Sequence, residues 1–439
     1  MTRIRGTALL RIKLKEINVR NVVLLVVGLV MVLTACGAPA AASKPVSFMV
    51  WGDPAEKAAY ESLVSAFKQK QPSIDVQITH IPGQNEYRTR LAADFAAGQP
   101  ADIVLLNYRR MGSFAAKQVI EPLGPYLERS AVIDEADFYP ETIAPFRYNG
   151  ALMCIPQNVS SLVVYYNKQL FDQAGVAYPG DSWTWEEFLT TARALTKDTN
   201  ADGQIDQYGA GIEPSLIRLA PFVWQNGGEL VTPAAKPAQL ALDTPEAQAA
   251  MQWFVELQTK HHVVPDAVQE QAEDSESRFQ NGRTAMFFDS RRAVPTLREI
   301  EAFDWDVAPL PQGKQRAGIL HADAYCMAAK TQNKDAAWTF IEFANSAEGQ
   351  TIIAKTGRTV PSLRAVAQSE AFLEPSAKPQ RSRVFLDIIP AIRAVPTMDT
   401  WEDIETAVNN ELERAFYGQA TVEEAITAAK ASTQGFFKP

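Results

Sequence analysis

The chain has 439 residues, of which 46% are hydrophobic and 21% charged, proportions ordinary for a globular protein. With 23 Gly, 27 Pro and 3 Cys it is not a collagen-like, disordered or disulfide-scaffold sequence, and its length calls for two domains or one two-lobed unit. A net charge of −9 argues against a nucleic-acid partner, and four histidines argue against a His-rich metal enzyme.

Residues 1–35 read as an export signal. Six basic residues precede Asn21, against the single acid Glu16, and an apolar run extends to Leu33. A basic head followed by about a dozen apolar residues is the layout of a secretory signal, and the run is short for a bilayer-spanning helix. Leu33-Thr34-Ala35-Cys36 follows and resembles a bacterial lipobox, which implies lipidation of Cys36 and a membrane anchor. Residues 36–45, rich in Ala and Pro, read as a flexible tether. Cleavage before Cys36 leaves 36 basic and 50 acidic residues, a net charge of −14. Cys154 and Cys326, 172 positions apart, are either one disulfide in an oxidising compartment or two buried thiols.

The body alternates strands and helices. Val46–Trp51 is a short strand ending at Gly52-Asp53-Pro54. Tyr60, Leu63, Val64 and Phe67 then fall on one helical face. Residues 75–81 alternate as a strand, 85–97 form a helix closed by Gly98, and 103–106 are a continuous apolar strand. Three strands with two helices between them predict an α/β layer whose binding site lies beyond the carboxyl ends of the strands. Further on, 163–167, 284–289, 305–310 and 325–329 read as strands. Capping boxes at Thr184-Trp-Glu-Glu187 and Thr421-Val-Glu-Glu424 start helices.

Several phrases, in order, resemble the family 1 extracellular solute-binding proteins, the maltose-binding-protein-like receptors of ABC importers. They include Ala97-Gly-Gln-Pro-Ala-Asp102, Ile155-Pro156 leading to Tyr165-Tyr-Asn-Lys168, and Trp183-Thr-Trp-Glu-Glu-Phe188. Asp202-Gly203 before Gln207-Tyr-Gly209, Phe279-Gln-Asn-Gly-Arg-Thr-Ala-Met286 and Pro309-Leu-Pro311 follow. The resemblance covers roughly residues 46–430. It implies an α/β, two-lobed periplasmic-binding-protein fold (type II, maltose-binding-like) with the ligand cleft between the lobes. Lobe one would comprise 46–153 plus 303–358, and lobe two 156–300 plus 361–439. Crossings are expected near 153–156, 300–304 and 358–361. The implied function is capture of a carbohydrate, an oligosaccharide by preference, by hinge closure. The receptor would be a monomer, tethered by its lipid, delivering the sugar to the permease subunits of an importer without chemistry of its own. Glycerol-phosphate compounds or a polyamine are alternative ligands, and a secreted glycan hydrolase is the alternative from another class.

A sugar site needs aromatic plates for the C–H face of the ring and carboxylates, amides or guanidiniums for its hydroxyls. Strand ends and crossings therefore nominate Trp51, Asp53, Asn107, Tyr108, Asn158, Asp289 and Arg291. Tyr87 with Glu86 at a helix start, Trp224 beside Gly227-Gly228, and Trp401 after a Pro-containing loop join them. His321 and Asp323 stand where relatives often carry small glycines. Arg109, Arg110, Arg291 and Arg292 keep a phosphate ligand open. Asp198, Asn200, Asp202 and Asp206 imitate a calcium loop, but Gly209 stands where a bidentate Glu is needed. A structural turn is the preferred reading there, a weak calcium site the other, and no further cofactor is expected.

Overall fold

Strand β1 (Val46–Trp51) leads into helix α1 (Pro54–Lys70). The Asp53 carboxylate fixes the start of α1 by accepting the Glu56 N–H at 2.8 Å, and Pro54 suits the first turn. Strand β2 (Val76–Ile81), α2 (Gln84–Ala96), β3 (Ile103–Asn107), α3 (Tyr108–Ala116), β4 (Ile120–Glu121) and β5 (Cys154–Pro156) follow. Next come β6 (Val163–Asn167), α4 (Trp185–Leu195), α5 (Leu216–Gln225), α6 (Pro245–Thr259), β7 (Met286–Asp289), β8 (Trp305–Ala308) and β9 (Asp323–Ala328). Two helices, α7 (Trp401–Phe416) and α8 (Val422–Thr433), close the chain. This computed structural model describes residues 44–437 apart from Ala235. The signal-like segment 1–35, the lipidation candidate Cys36 and the tether up to residue 43 lie outside the described residues.

The first sheet has the order β2-β1-β3-β9-β4, with β5 also pairing with β9. Strand β1 runs parallel to β2 and β3, as the strand–helix alternation predicts. Strand β9, more than 200 residues downstream of β3, inserts antiparallel beside it, with Asp323 opposite Asn107. Tyr60, Leu63 and Phe67 of α1 are buried, and Tyr60 meets Phe48 of β1 edge to face. Cys154 and Cys326 stand opposite each other across β5 and β9, Cα to Cα 4.6 Å, and form a disulfide. The sequence left two thiols equally open; cross-strand register decides it. A cross-link of this kind typically contributes about 2–4 kcal/mol by restricting the unfolded chain.

The second sheet is β7-β6-β8, antiparallel throughout, with bridges from Tyr208 and Gly211 extending its β7 edge. Trp305 and Phe287 pack on Tyr165 in its core. Two boundaries differ from the family layout. Trp305–Ala308 pairs with β6, so the segment placed in lobe one from residue 303 is still in the second sheet. Cys154–Pro156 belongs to the first sheet, so the first crossing begins after Pro156. Between the sheets three segments run side by side: Asn158 is bridged to Pro361, and Ser160 to His321. The second crossing therefore lies between Ala308 and Asp323, not at 300–304.

The C-terminal helices are not confined to lobe two. Helix α7 packs on α5 and α6 but also on α3 behind the first sheet. Gly112 of α3 permits the approach: a Cβ there would stand 2.4 Å from the Met398 carbonyl oxygen. Among the described residues no helix is long and apolar enough to cross a membrane.

Candidate functional site

The strand ends of the two sheets and the crossings between them enclose a cavity of about 390 Å³. Its first-sheet wall carries Trp51, Glu56, Asn107 and Asp323; its second-sheet wall carries Asp289, Arg292, Glu213 and Arg218. Asn158, Ser160, His321 and Arg358 reach it from the crossings, and Arg109 from the first turn of α3.

On the first-sheet wall everything converges on Arg358. Its guanidinium donates to Asp53 at 2.6 Å, pairs with Glu56 at 2.7 Å and lies 5.7 Å from the centre of the Trp51 ring. Burial pushes the Glu56 carboxyl up to about 7, against the pull of Arg358. Gly52 makes room for this arrangement: its φ is +134°, and a Cβ there would fall 1.7 Å from Glu56 Oε2. Beneath Glu56, Gln157 donates to Tyr60 and Tyr325 at 2.9 and 3.2 Å. Asn107 caps α3 and donates to Asp323 at 3.2 Å, while Asn158 accepts the Asp323 N–H at 2.9 Å. Burial raises the Asp323 carboxyl, although Asn107 and Arg109 oppose it.

On the second-sheet wall Asp289 is only 1% exposed, yet its carboxyl lies below the usual range. Burial works against its charge, but Arg292, Arg218 and the Ser290 N–H outweigh it. Arg292 binds Asp289 directly and Glu276 at 3.1 Å; Arg218 pairs with Glu213 at 3.0 Å. Arg109 pairs with Glu405 of α7 at 2.5 Å. Every guanidinium on the cavity thus has a carboxylate partner. His321 does not: its Nε2 is buried without a hydrogen-bond partner. Burial, reinforced by Arg109, lowers it to about 3, so the ring is neutral near neutral pH.

Of the residues nominated from sequence, Trp51, Asn107, Asn158, Asp289, His321 and Asp323 are brought together on this cavity. Asp53 is behind it, capping α1 and holding Arg358. The rest are corrections. Tyr108 and Trp401 have no exposed surface, because the first turns of α3 and α7 face the core. Tyr87 stands clear of this cavity, buried with its hydroxyl donating to the Leu105 carbonyl at 2.8 Å, and lines instead a neighbouring space between α2 and α3. Trp224, nominated beside Gly227-Gly228 at the end of α5, is not on the cavity: α5 points its other end there, through Ile217 and Arg218. Trp224 lies two turns on, about 9 Å along the axis, buried beneath the Arg393 guanidinium. Arg291 turns inward between Phe372 and Phe385 and donates to the Gly357 carbonyl at 2.7 Å; its neighbour Arg292 takes the cavity.

The calcium-like loop folds on itself. Asp198 accepts the Ala201 and Gly203 N–H groups, each at 2.7 Å, and Asn200, Asp202 and Asp206 accept those of Asp202, Gln204 and Thr199. Among the described residues no three His, Cys, Asp or Glu side chains converge as a metal site.

Sequence reasoning missed Glu56, Gln157, Glu213, Arg218 and Arg358. Glu56 looks like an ordinary first-turn acid. Arg358 had a signal, since it begins a stretch expected to cross between lobes, and a crossing floors the cleft.

Residues 51–351 match the family described as bacterial extracellular solute-binding protein. The chain belongs to that family. A binding protein of Brucella abortus is 23% identical over 386 residues, covering 86% of this chain and 90% of that one. The mannitol-binding protein of Pseudomonas aeruginosa is 24% identical over 398 residues, covering 85% and 88%. Among solved structures, the ABC substrate-binding protein of Listeria monocytogenes in complex with cycloalternan superposes with a TM-score of 0.82 at 24% identity, over 90% of this chain and 99% of that one. The tagatose-bound solute-binding protein of Thermotoga lettingae gives 0.80 at 22% identity, over 90% and 100%. The two-lobed, maltose-binding-like fold of this solute-binding protein is thereby established.

Proposed function

We propose that the protein captures a short saccharide or polyol in the cavity and releases it to the permease of an ABC importer. The observation that carries this reading is the pairing of charges. Arg109, Arg218, Arg292 and Arg358 each face a carboxylate, so the cavity offers many fixed donors and acceptors with its charges matched. Such a lining suits hydroxyls, each of which both donates and accepts. Trp51, held by Arg358, supplies an aromatic plate for the ring's C–H face. A volume of about 390 Å³ is at the small end for ligand sites and favours one or two sugar rings over a long oligosaccharide. The sugar- and polyol-binding relatives support the same class.

The mechanism is motion. The two walls touch one ligand only when closed, so ligand shifts the population toward closure. The crossings at Asn158, Ser160 and His321 are the hinge and part of the site at once. Cys36 as lipid anchor, with residues 37–45 as leash, would hold the receptor beside its permease.

A thermal-shift screen of the purified protein against mono-, di- and trisaccharides, their uronate and phosphate derivatives, and hexitols tests this. A ligand at 100 times its Kd adds about 2.7 kcal/mol. Trp51→Ala should abolish the shift, whereas Trp224→Leu should lower stability and leave the shift in place. Silence across the panel overturns the ligand class, and turnover of a bound saccharide overturns the receptor reading.

A further inference from the structure

A second chamber of about 330 Å³ opens off the main cavity, between α2 and α3. Trp51, Gln84, Asn107 and Asp323 line both spaces and form the doorway between them. Its chemistry differs from that of the main cavity. Leu91, Leu106 and Phe114 supply an apolar back wall. Arg88, Arg110 and Lys117 supply cations, and Glu402 is the acid among its lining residues besides the doorway Asp323.

Arg110 is not satisfied there. Its Nε pairs with Glu402 at 3.1 Å, but its Nη1 is buried and has no hydrogen-bond partner. A buried guanidinium N–H without an acceptor carries a desolvation cost that an incoming acceptor removes. The cations also crowd each other: burial, then Arg110 and Arg109, lower Arg88 to about 10. In the main cavity every guanidinium has its own carboxylate, although Arg218 Nε also lacks a hydrogen-bond partner; here cations exceed acids.

We infer that the chamber is a subsite for an anionic substituent, carboxylate or phosphate ester, carried by the saccharide whose ring occupies the main cavity. This rests on the saccharide reading above. The ring stands at Trp51 and Asn107, its substituent passes the doorway, and Arg110 Nη1 receives the anion, with Arg88 and Lys117 supplying further charge. A planar carboxylate or a phosphate suits a guanidinium fork equally well, and the apolar wall excludes water from the contact.

The test is calorimetric titration of the purified protein with matched sets: a hexose, its hexuronate and its hexose 6-phosphate, and the corresponding disaccharides. At least one anionic member should bind about tenfold or more tightly than its neutral parent, with the advantage shrinking as salt rises. Arg110→Gln should reduce the anionic-to-neutral ratio to threefold or less; the exposed Lys117→Gln should narrow it partially and serves should Arg110→Gln fold poorly. An advantage confined to hexuronates assigns a carboxylate, and one confined to phosphates a phosphate ester. Neutral parents binding as well as their anionic partners overturn the subsite and leave the saccharide reading standing. An anionic advantage unchanged by both variants overturns the placement in this chamber. Failure of every saccharide, neutral and anionic, overturns both readings.

Discussion

Glu56 on the first-sheet wall has one guanidinium, Arg358, and shares it with Asp53; Asp289 on the second-sheet wall faces Arg292 and is flanked by Arg218. Both carboxyls are buried, yet Glu56 is raised to about 7 while Asp289 is lowered. Burial alone would raise both, so the sign is set by the number of cations per acid and by nearby acids. Asp323 and Asp53 push Glu56 further up, whereas the Ser290 N–H and Arg218 draw Asp289 down. The first-sheet wall thus holds a carboxyl near its titration point, and the second-sheet wall holds a fixed anion.

Removing the fixed anion should have the largest effect. Asp289→Asn leaves Arg292 facing a neutral amide, but that guanidinium is 43% exposed and keeps Glu276. The loss should therefore lie at the low end for breaking a buried pair, about 3 kcal/mol. Chemical denaturation should report that loss; an unchanged midpoint would show that Asp289 is not held as an anion and would break the contrast between the walls.

The pH dependence of stability should separate the walls next. The folded Glu56 value is above its ordinary 4.5, so its contribution is complete below about 4.5 and is lost as pH rises through about 7. Over that window the loss is on the order of 3 kcal/mol at most. For Asp289, lowered on folding, stability is present above its unfolded value near about 3.9 and is lost as pH falls through the folded value. Melting curves of wild type and Glu56→Gln should therefore diverge between about pH 4.5 and 7, and those of wild type and Asp289→Asn on the acid side. Parallel curves for Glu56→Gln would place its carboxyl with ordinary acids.

The smallest change sharpens the same wall. Gly52→Ala puts a methyl on Glu56 Oε2 and strains a backbone at φ +134°, for about 1–2 kcal/mol. It should also loosen Arg358 and weaken saccharide binding; full affinity would show that Glu56 moves without consequence.

How far the site was legible follows from where each residue stands. Trp51, Asn107 and Asp289 end strands, and strand ends in α/β layers face the cleft, so period and position sufficed. Asn158 was legible because a crossing segment must floor the cleft, and His321 because it stands where relatives often carry small glycines. Tyr108 and Trp401 begin helices too, but which side of a first turn faces the core depends on the neighbour packed against it. Trp224 failed through direction: the sequence shows a helix with an aromatic near its end, but not which end meets the cavity. Arg291 and Arg292 are adjacent and chemically identical, and Phe372 and Phe385, 81 and 94 residues away, decide which turns inward.

The sequence by itself determined the local elements: the Thr184 and Thr421 boxes, the glycine closing Lys168–Ala174, and the apolar periods of the strands. These depend on neighbours within a turn or two, which is where capping and amphipathic burial act. It also carried the family, because the order of short phrases survives where overall identity is 24% or less. Tertiary structure alone decided what distant segments do to one another. It inserted β9 beside β3, placed Cys154 against Cys326, kept β8 in the second sheet and brought Arg358 to Asp53 across 305 positions. Pairing of charges, burial of a carboxyl and the opening of a chamber between two helices are properties of that assembly, since each depends on groups that local sequence does not place side by side.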